Sequence, residues 1–450
     1  MILAYGGGFG EYPNDRYFIH KGVVASDRSL KPHYPEMKHV YQWIGISEGN
    51  LEAGIIKIRN KYQFKSLKDF VASWTLSENG TVISSGTYPS FDVKPQQEIS
   101  IQVPFEITNP KPEAEYFLRV SYALANDEIW AKKGFEIASQ QFRLPVKVPA
   151  SKPAVSDLRK VTMVQDEKVI TVKGEGFTAV FDISTGTFSR VERNGLIIFR
   201  EGGGPKLHLW RAPHCNDDMW ANKGWIDAGL KELKWIADDI SAKQLTASEV
   251  KITARLVGKG KNGFTVNHDV VYTISGEGII TAENVINSSN PQQVAARIGV
   301  RMFLDKQFER AEYFGRGPME NYSDRKRGFD VGIYKSTVKE LLTPYEKPMD
   351  AGNHEDVRWV KLTNQEGIGL MATSDTSLMQ FTALPYSDEQ MESVEYRTDL
   401  PQSDATVFCL SHRTLGVGTA GCGPRPLPQY LVYITPTKFI YKIHVVPGGF

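Results

Sequence analysis

Tyr313-Phe314-Gly315-Arg316-Gly317-Pro318-Met319-Glu320-Asn321-Tyr322-Ser323-Asp324-Arg325 is the stretch around which this 450-residue chain is organised. A short aromatic strand runs into two glycines and a proline, so the backbone must turn sharply. The turn carries Glu320, Asn321, Tyr322, Asp324 and Arg325. A tight loop holding acceptors, donors and an aromatic ring is how a β-rich protein presents a polar site on a rigid frame. The same residues also suit a turn whose polar groups satisfy its own backbone. The chemistry of the stretch alone leaves both readings open.

Outward from that turn, the chain is rich in strand signals. Residues 155–450 repeat them at Ile170–Lys173, Thr178–Asp182, Gly195–Phe199, Val250–Val257, Val266–Ile274, Ile279–Val285 and Ile298–Phe303. They continue through Gly367–Thr373, Met379–Leu384, Thr406–Arg413, Tyr430–Ile434 and Phe439–Val445. Helical spacing is confined to short pieces such as Trp220–Leu230 and Val338–Leu342. So many antiparallel strands in one region predict a large two-sheet supersandwich. Residues 47–149 read as a separate immunoglobulin-like sandwich of short alternating strands, with Phe70, Ala72, Trp74 and Leu76 on one face and Asn79-Gly80 as a hairpin turn. Trp74 and Trp130 read as core or packing residues. Pro145 to Pro153 is a proline-punctuated linker. Residues 1–46 give a glycine-rich loop, a short strand over the apolar run that ends before Asp27-Arg28, and a helix from Pro32 to Ile44. One such β/α unit cannot bury its own faces, and its apolar side is expected to pack on the sandwich or on a neighbouring chain.

Composition narrows the function. Lys+Arg number 53 and Asp+Glu 52, so no basic field attracts nucleic acid or anionic lipid. No run of ~18 apolar residues exists to span a membrane as a helix. Met1 to Gly6 lacks the basic and apolar regions of a signal peptide, which leaves cytoplasm and periplasm both open. Cys215, Cys409 and Cys422 are an odd, widely spaced set and give no disulfide framework. Cys409 and His412 stand at ligand spacing without a second pair, so no metal site is expected there. Tyr5 to Gly10 lacks the Lys-Ser/Thr of a phosphate-binding loop.

Three separated motifs carry a resemblance. Gly315 to Arg325, then Trp210-Arg211-Ala212-Pro213 with Asn216-Asp217-Asp218, then Asp356-Val357-Arg358-Trp359 are similar to the C-terminal small-chain domain of the large bacterial β-galactosidases, glycoside hydrolase family two. The glycine-rich start, Tyr5-Gly6-Gly7-Gly8-Phe9-Gly10 followed by Pro13-Asn14-Asp15, resembles the last β/α repeat of that family's catalytic (β/α)8 barrel. The resemblance therefore implies a mainly β chain. It begins with the end of a barrel (1–46), continues with an immunoglobulin-like sandwich (47–149) and closes with a galactose-mutarotase-like supersandwich (150–450).

Barrel sites lie at the C-terminal ends of strands, so the resemblance puts Asn14, Asp15 and Phe18 at the edge of a sugar pocket. In the family the phenylalanine matching Phe18 lends its carbonyl to a sodium ion and an asparagine follows. Here Lys21 stands in the asparagine's place, and an ammonium cannot coordinate a cation. No cofactor is expected, and the family's magnesium site is not among these residues. The loop Gly416 to Pro424 matches one that supplies a sugar-stacking tryptophan, a position taken here by Cys422, which offers no ring face. Glu320 is a further candidate at the site, either in an acid/base pair or in a buried network with Arg325 and Arg358.

Trp210 and Arg211 read as supports for the loop holding His214, Asn216 and Asp217, and His354-Glu355-Asp356 as a charged surface turn. A retaining glycosidase needs two carboxyl groups roughly 5–5.5 Å apart. No Asn-Glu pair on a barrel-type strand supplies them, so no catalytic residue is assigned, and the chain by itself is expected to be inactive. The leading expectation is the C-terminal portion of a retaining β-galactosidase, partnered by an N-terminal catalytic half or by identical chains in an oligomer. A non-catalytic carbohydrate-binding or scaffold protein is the alternative. A free-standing aldose epimerase using His208 and Glu320 is a third.

Overall fold

The structure is a computed structural model that describes residues 3–20, 22–88, 91–146, 148, 159–420 and 422–448. The chain divides into two compact units. One takes residues 33–154 together with 327–333; the other takes residues 1–32, 155–326 and 334–450.

The smaller unit is an immunoglobulin-like sandwich. Its four-stranded sheet runs Thr81–Tyr88, Phe70–Glu78, Tyr116–Leu124, Glu136–Arg143. Its three-stranded sheet runs Ile44–Glu48, Ile55–Asn60, Glu98–Gln102. Side chains alternate across a strand, and Phe70, Ala72, Trp74 and Leu76 are all buried. They share one core with Ile56, Ile58, Leu118, Val120 and Tyr122. Asn79 and Gly80 take φ of 48° and 81°, which is why this hairpin needs an Asn-Gly pair. The helix His33–Val40 belongs to this unit. Its Glu36 carboxylate accepts the amide of Gly328 at 2.8 Å. A β-carbon at Gly328 would sit 2.5 Å from the Pro35 carbonyl, so only glycine lets the 327–333 segment dock. Arg119 donates to Asp330 at 2.5 Å and to Glu136 at 2.7 Å, closing the same joint.

Among its described residues the larger unit carries two antiparallel sheets, one of ten strands and one of nine. They enclose a single core in which Phe181 and Phe188 of one sheet meet Tyr272 of the other at 5.8 and 4.9 Å between ring centroids. This is the expected supersandwich. No helix among the described residues is long and apolar enough to cross a membrane.

Several local expectations are corrected. The apolar run near Phe18 forms a 3-10 turn, Arg16–Ile19, with an isolated bridge between Val24 and Leu30. It has no ladder partner among the described residues, and Tyr17 turns instead to a carboxylate on another element. The helix ends at Val40, and Ile44 opens a strand. Residues 1–32 group with the larger unit, while the helix His33–Val40 groups with the sandwich as expected. Tyr430–Ile434 is a 3-10 turn, Pro428–Tyr430, followed by a bridge at Tyr433. Trp130 is 65% exposed and packs edge-on against Phe135, so of the two expected roles it takes packing and not core. His354–Val357 is a buried strand, not a surface turn.

Candidate functional site

Four consecutive residues of one short helix, Cys215–Asp218, tie together the elements that the sequence motifs singled out. Asp217 is buried and receives a two-pronged ion pair from Arg211, with both contacts at 2.9 Å. It also accepts the amide of His214 at 3.0 Å. Burial opposes ionisation of Asp217, but the Arg211 charge outweighs it and holds the carboxyl below its usual range. Arg211 also donates to the carbonyls of Leu415 and Gly416, at 2.9 and 3.3 Å. Asn216 donates to the carbonyls of Val417 and Gly418 at 2.7 and 2.8 Å.

The opposite side of that loop is held from the Tyr313–Arg325 stretch. The carboxylate of Asp324 accepts the amides of Val417 and Gly418 at 3.0 and 2.8 Å. Gly416 must be glycine, because a β-carbon there would lie 2.6 Å from the same carboxylate. The base of the Gly416–Pro424 loop is thus clamped by Arg211, Asn216 and Asp324, one residue set from each of two distant motifs. Cys422 is exposed in this loop, and its amide donates to Thr419 at 3.1 Å. It lies near enough to add to the upward shift of the Cys215 thiol, which burial and then Asp218 chiefly cause.

The last residue of the helix reaches the N-terminal segment. The Tyr17 hydroxyl donates to Asp218 at 2.7 Å. Tyr5 donates to Glu395 at 2.9 Å and stacks on Tyr396 at 4.7 Å, while Arg16 pairs with Glu395 at 2.5 Å. Phe18, half-buried, therefore sits one residue from a contact to the same helix that holds the Cys422 loop. Asn14 and Asp15 are exposed beside it. The Asn14 amide donates to the Glu11 carbonyl at 2.9 Å and accepts the Arg16 amide at 3.1 Å. Asp15 precedes the 3-10 turn. The glycine-rich loop aims two amides, from Gly7 and Phe9, at the Glu11 carboxylate at 2.6 and 3.0 Å, so those donors serve the chain itself. Lys21 lies outside the described residues.

Glu320 belongs to a separate buried network. It accepts from Arg325 at 2.8 Å, Thr343 at 2.6 Å, Tyr345 at 2.7 Å and the Gly352 amide at 2.7 Å. Burial works against its charge, yet Arg325 and these donors hold it below the usual carboxylate range. A carboxylate so fully satisfied is a structural clasp, not a free acid or base. Among the described residues Arg358 is seen elsewhere: its guanidinium donates to the Asp356 carbonyl and lies over Phe314 at 5.1 Å. His208 does not pair with Glu320 either. Its partner is Asp388 at 2.8 Å, in a cluster with Arg297 and Arg301, each 3.8 Å from Asp388. His208, Asp388 and Cys409 place their ligand atoms within 4.8 Å of one another. Asp388 faces both guanidiniums, which are also paired with Asp350 and Glu389, so the cluster is a closed ion-pair network.

Asp350 and Asp388 carry no motif around them, and Glu355, beside the Asp356–Trp359 motif, was expected in a surface turn rather than in a buried cluster. Asp350 accepts Arg297 and, at 2.9 Å, the Tyr322 hydroxyl. Glu355 is buried, and burial pushes its carboxyl up to about 7 against the pull of Lys326.

Comparison with known proteins places this geometry in a class, the multidomain glycoside hydrolases of family two. Residues 173–443 match the family described as beta galactosidase small chain, residues 56–145 match beta-galactosidase domain 4, and residues 1–46 match the family 2 TIM barrel domain. The chain belongs to the β-galactosidase small-chain family. The β-galactosidase of Priestia megaterium is 30% identical over 425 residues, covering 92% of this chain and 40% of its own length. That of Actinobacillus pleuropneumoniae is 28% identical, covering 98% of this chain and 42% of its own. That of Streptococcus thermophilus is 28% identical, covering 93% and 39%. The chain thus spans about two-fifths of the length of the curated relatives it matches. A solved galactose 1-epimerase from Lactobacillus acidophilus aligns with 63% of this chain and 97% of its own at 10% identity, with a TM-score of 0.34, too loose a likeness to carry an argument.

Proposed function

We propose that this chain is the C-terminal portion of a retaining β-galactosidase acting on terminal β-galactosides, and that the two reacting carboxyl groups come from residues outside these 450. The carrying observation is the Cys215–Asp218 helix, which joins the Phe18 segment through Asp218 and the Cys422 loop through Asn216. In this reading the chain's part in hydrolysis is to hold pocket edges. Asn14, Asp15 and Phe18 line one side of the sugar, and the Cys422 loop lines another. Arg211, Asn216 and Asp324 keep that loop in place without touching substrate. With Cys422 where a stacking ring would stand, the sugar loses an apolar platform, and preference shifts away from substrates that depend on stacking. Lys21 in place of an asparagine argues against a sodium ion at Phe18, and no step is assigned to a metal. Assembly with an N-terminal catalytic portion, and into an oligomer, belongs to the same proposal.

The test is association. The chain is titrated with the N-terminal portion of such an enzyme, complex formation is followed by light scattering, and the anomer first released from a β-galactoside is read by NMR. A stoichiometric complex releasing the β-anomer supports the reading; no complex, or the α-anomer, contradicts it.

A further inference from the structure

A cavity of about 350 Å3 in the larger unit is lined by none of the residues of the Cys215–Asp218 helix. It is lined by the 25–31 segment on one side and by residues 318–320 and 336–346 on the other. Its size is within the range of small-ligand pockets, about 300–1,000 Å3. Leu30, Pro318, Met319 and Leu342 form an apolar wall.

Two charged side chains in its lining are nine-tenths buried and underused. Lys31, 9% exposed, donates from Nζ to the His20 carbonyl at 2.9 Å. No other acceptor for its ammonium is found among the described residues, although three donors are available. The Glu346 carboxylate, on a residue 7% exposed, meets among the described residues only the His20 ring, at 3.2 Å. A buried ammonium and a buried carboxylate left with spare hydrogen-bonding capacity are costly unless something else satisfies them. The other carboxylates in the lining are already occupied. Glu320 has its four donors, and Glu340 caps the helix that starts after Thr337.

The pairing selects the ligand. Glu346 repels an anion and Lys31 repels a cation. A hydroxyl group both donates and accepts, so neighbouring hydroxyls on one molecule satisfy both residues, while the molecule's C–H face rests on the apolar wall. We propose that this cavity is an accessory binding site for a small uncharged polyhydroxylated molecule of the pyranose type, held by Lys31 and Glu346. The assignment does not depend on the proposed hydrolytic role.

Galactose, glucose and glycerol serve as probes, with inorganic phosphate as the anionic counter-probe, in ligand-observed NMR titrations of the full chain. The expected result is saturable binding of at least one pyranose, weakened tenfold or more by Lys31→Met and by Glu346→Gln, and abolished by Met319→Trp. The last variant fills the cavity while leaving Lys31, His20 and Glu346 in place, so it decides the matter if a charge variant does not fold. No saturable pyranose binding, binding that survives Met319→Trp, or a preference for phosphate would overturn the site.

Discussion

In the smaller unit the deepest positions belong to Ile56, Ile58, Leu118 and Val120, and the buried amide of Asn60 is satisfied by carbonyls of Lys65 and Val93 and the amide of Tyr62. In the larger unit the same depth holds Arg211, Asp217, Arg297, Asp350, Glu320 and Asp388. The apolar core stabilises through area removed from water and tolerates repacking. The buried charges gain little net stability over an apolar replacement, but each is costly to leave alone. What they confer is placement: Arg211 with Asp217 and Asp324 with two amides hold one particular loop, which an apolar contact cannot orient. The comparison teaches that the small unit is built for a fold and the large one for a geometry.

The strongest way to break that contrast is to orphan a buried charge. Asp350→Ala leaves the Tyr322 hydroxyl without its acceptor and Arg297 with only its longer contact to Asp388, at 3.8 Å. The expected cost is about 3–5 kcal/mol in the denaturant-unfolding free energy of the larger unit. A cost below that of an ordinary surface change would mean the network is not what holds the loops. Leu118→Ala in the sandwich should cost about 3 kcal/mol through its cavity, seen as a lower unfolding midpoint of that unit.

Glu355 sharpens the comparison through pH. Its carboxyl is raised from 4.5 to about 7 in the folded chain, chiefly by burial. Between those values the unfolded chain has released a proton that the folded chain keeps, so stability falls as pH rises. The fall is about 3–4 kcal/mol in all, complete above pH 7 and absent below pH 4.5. Glu355→Gln removes this titration, and its stability profile over pH 5–8 should be flatter than that of the parent chain. Parallel profiles would contradict the assignment. At the small end, Lys65→Ala in the sandwich breaks a part-exposed ion pair with Glu128 and should cost under about 1 kcal/mol by thermal unfolding.

Strand alternation made the sandwich readable, because one face of each strand is buried and the pattern is local. The large unit was readable as strands but not as a site. His354-Glu355-Asp356 looks like a surface turn because three polar residues in a row seldom go inside, yet Thr414 and Gln380 from other strands, with the neighbouring Asn353, surround Glu355 there. Asp350 and Asp388 carry no local signal, since their partners are tens of residues away. Arg211 was legible as a support of the loop holding Asp217, because the two stand six positions apart in one motif. The apolar run at Phe18 misled because its neighbours face a carboxylate rather than a strand.

The measurement that bears most directly on the account is hydrolysis of a chromogenic β-galactoside by the chain alone and after mixing with an N-terminal portion carrying the two carboxyl groups. The account predicts no turnover above buffer for the chain alone and turnover on mixing, with a KM raised by Asn216→Ala as the Cys422 loop loses its clamp. Turnover by the unmixed chain would contradict it, because the reacting carboxylates would then lie within these 450 residues.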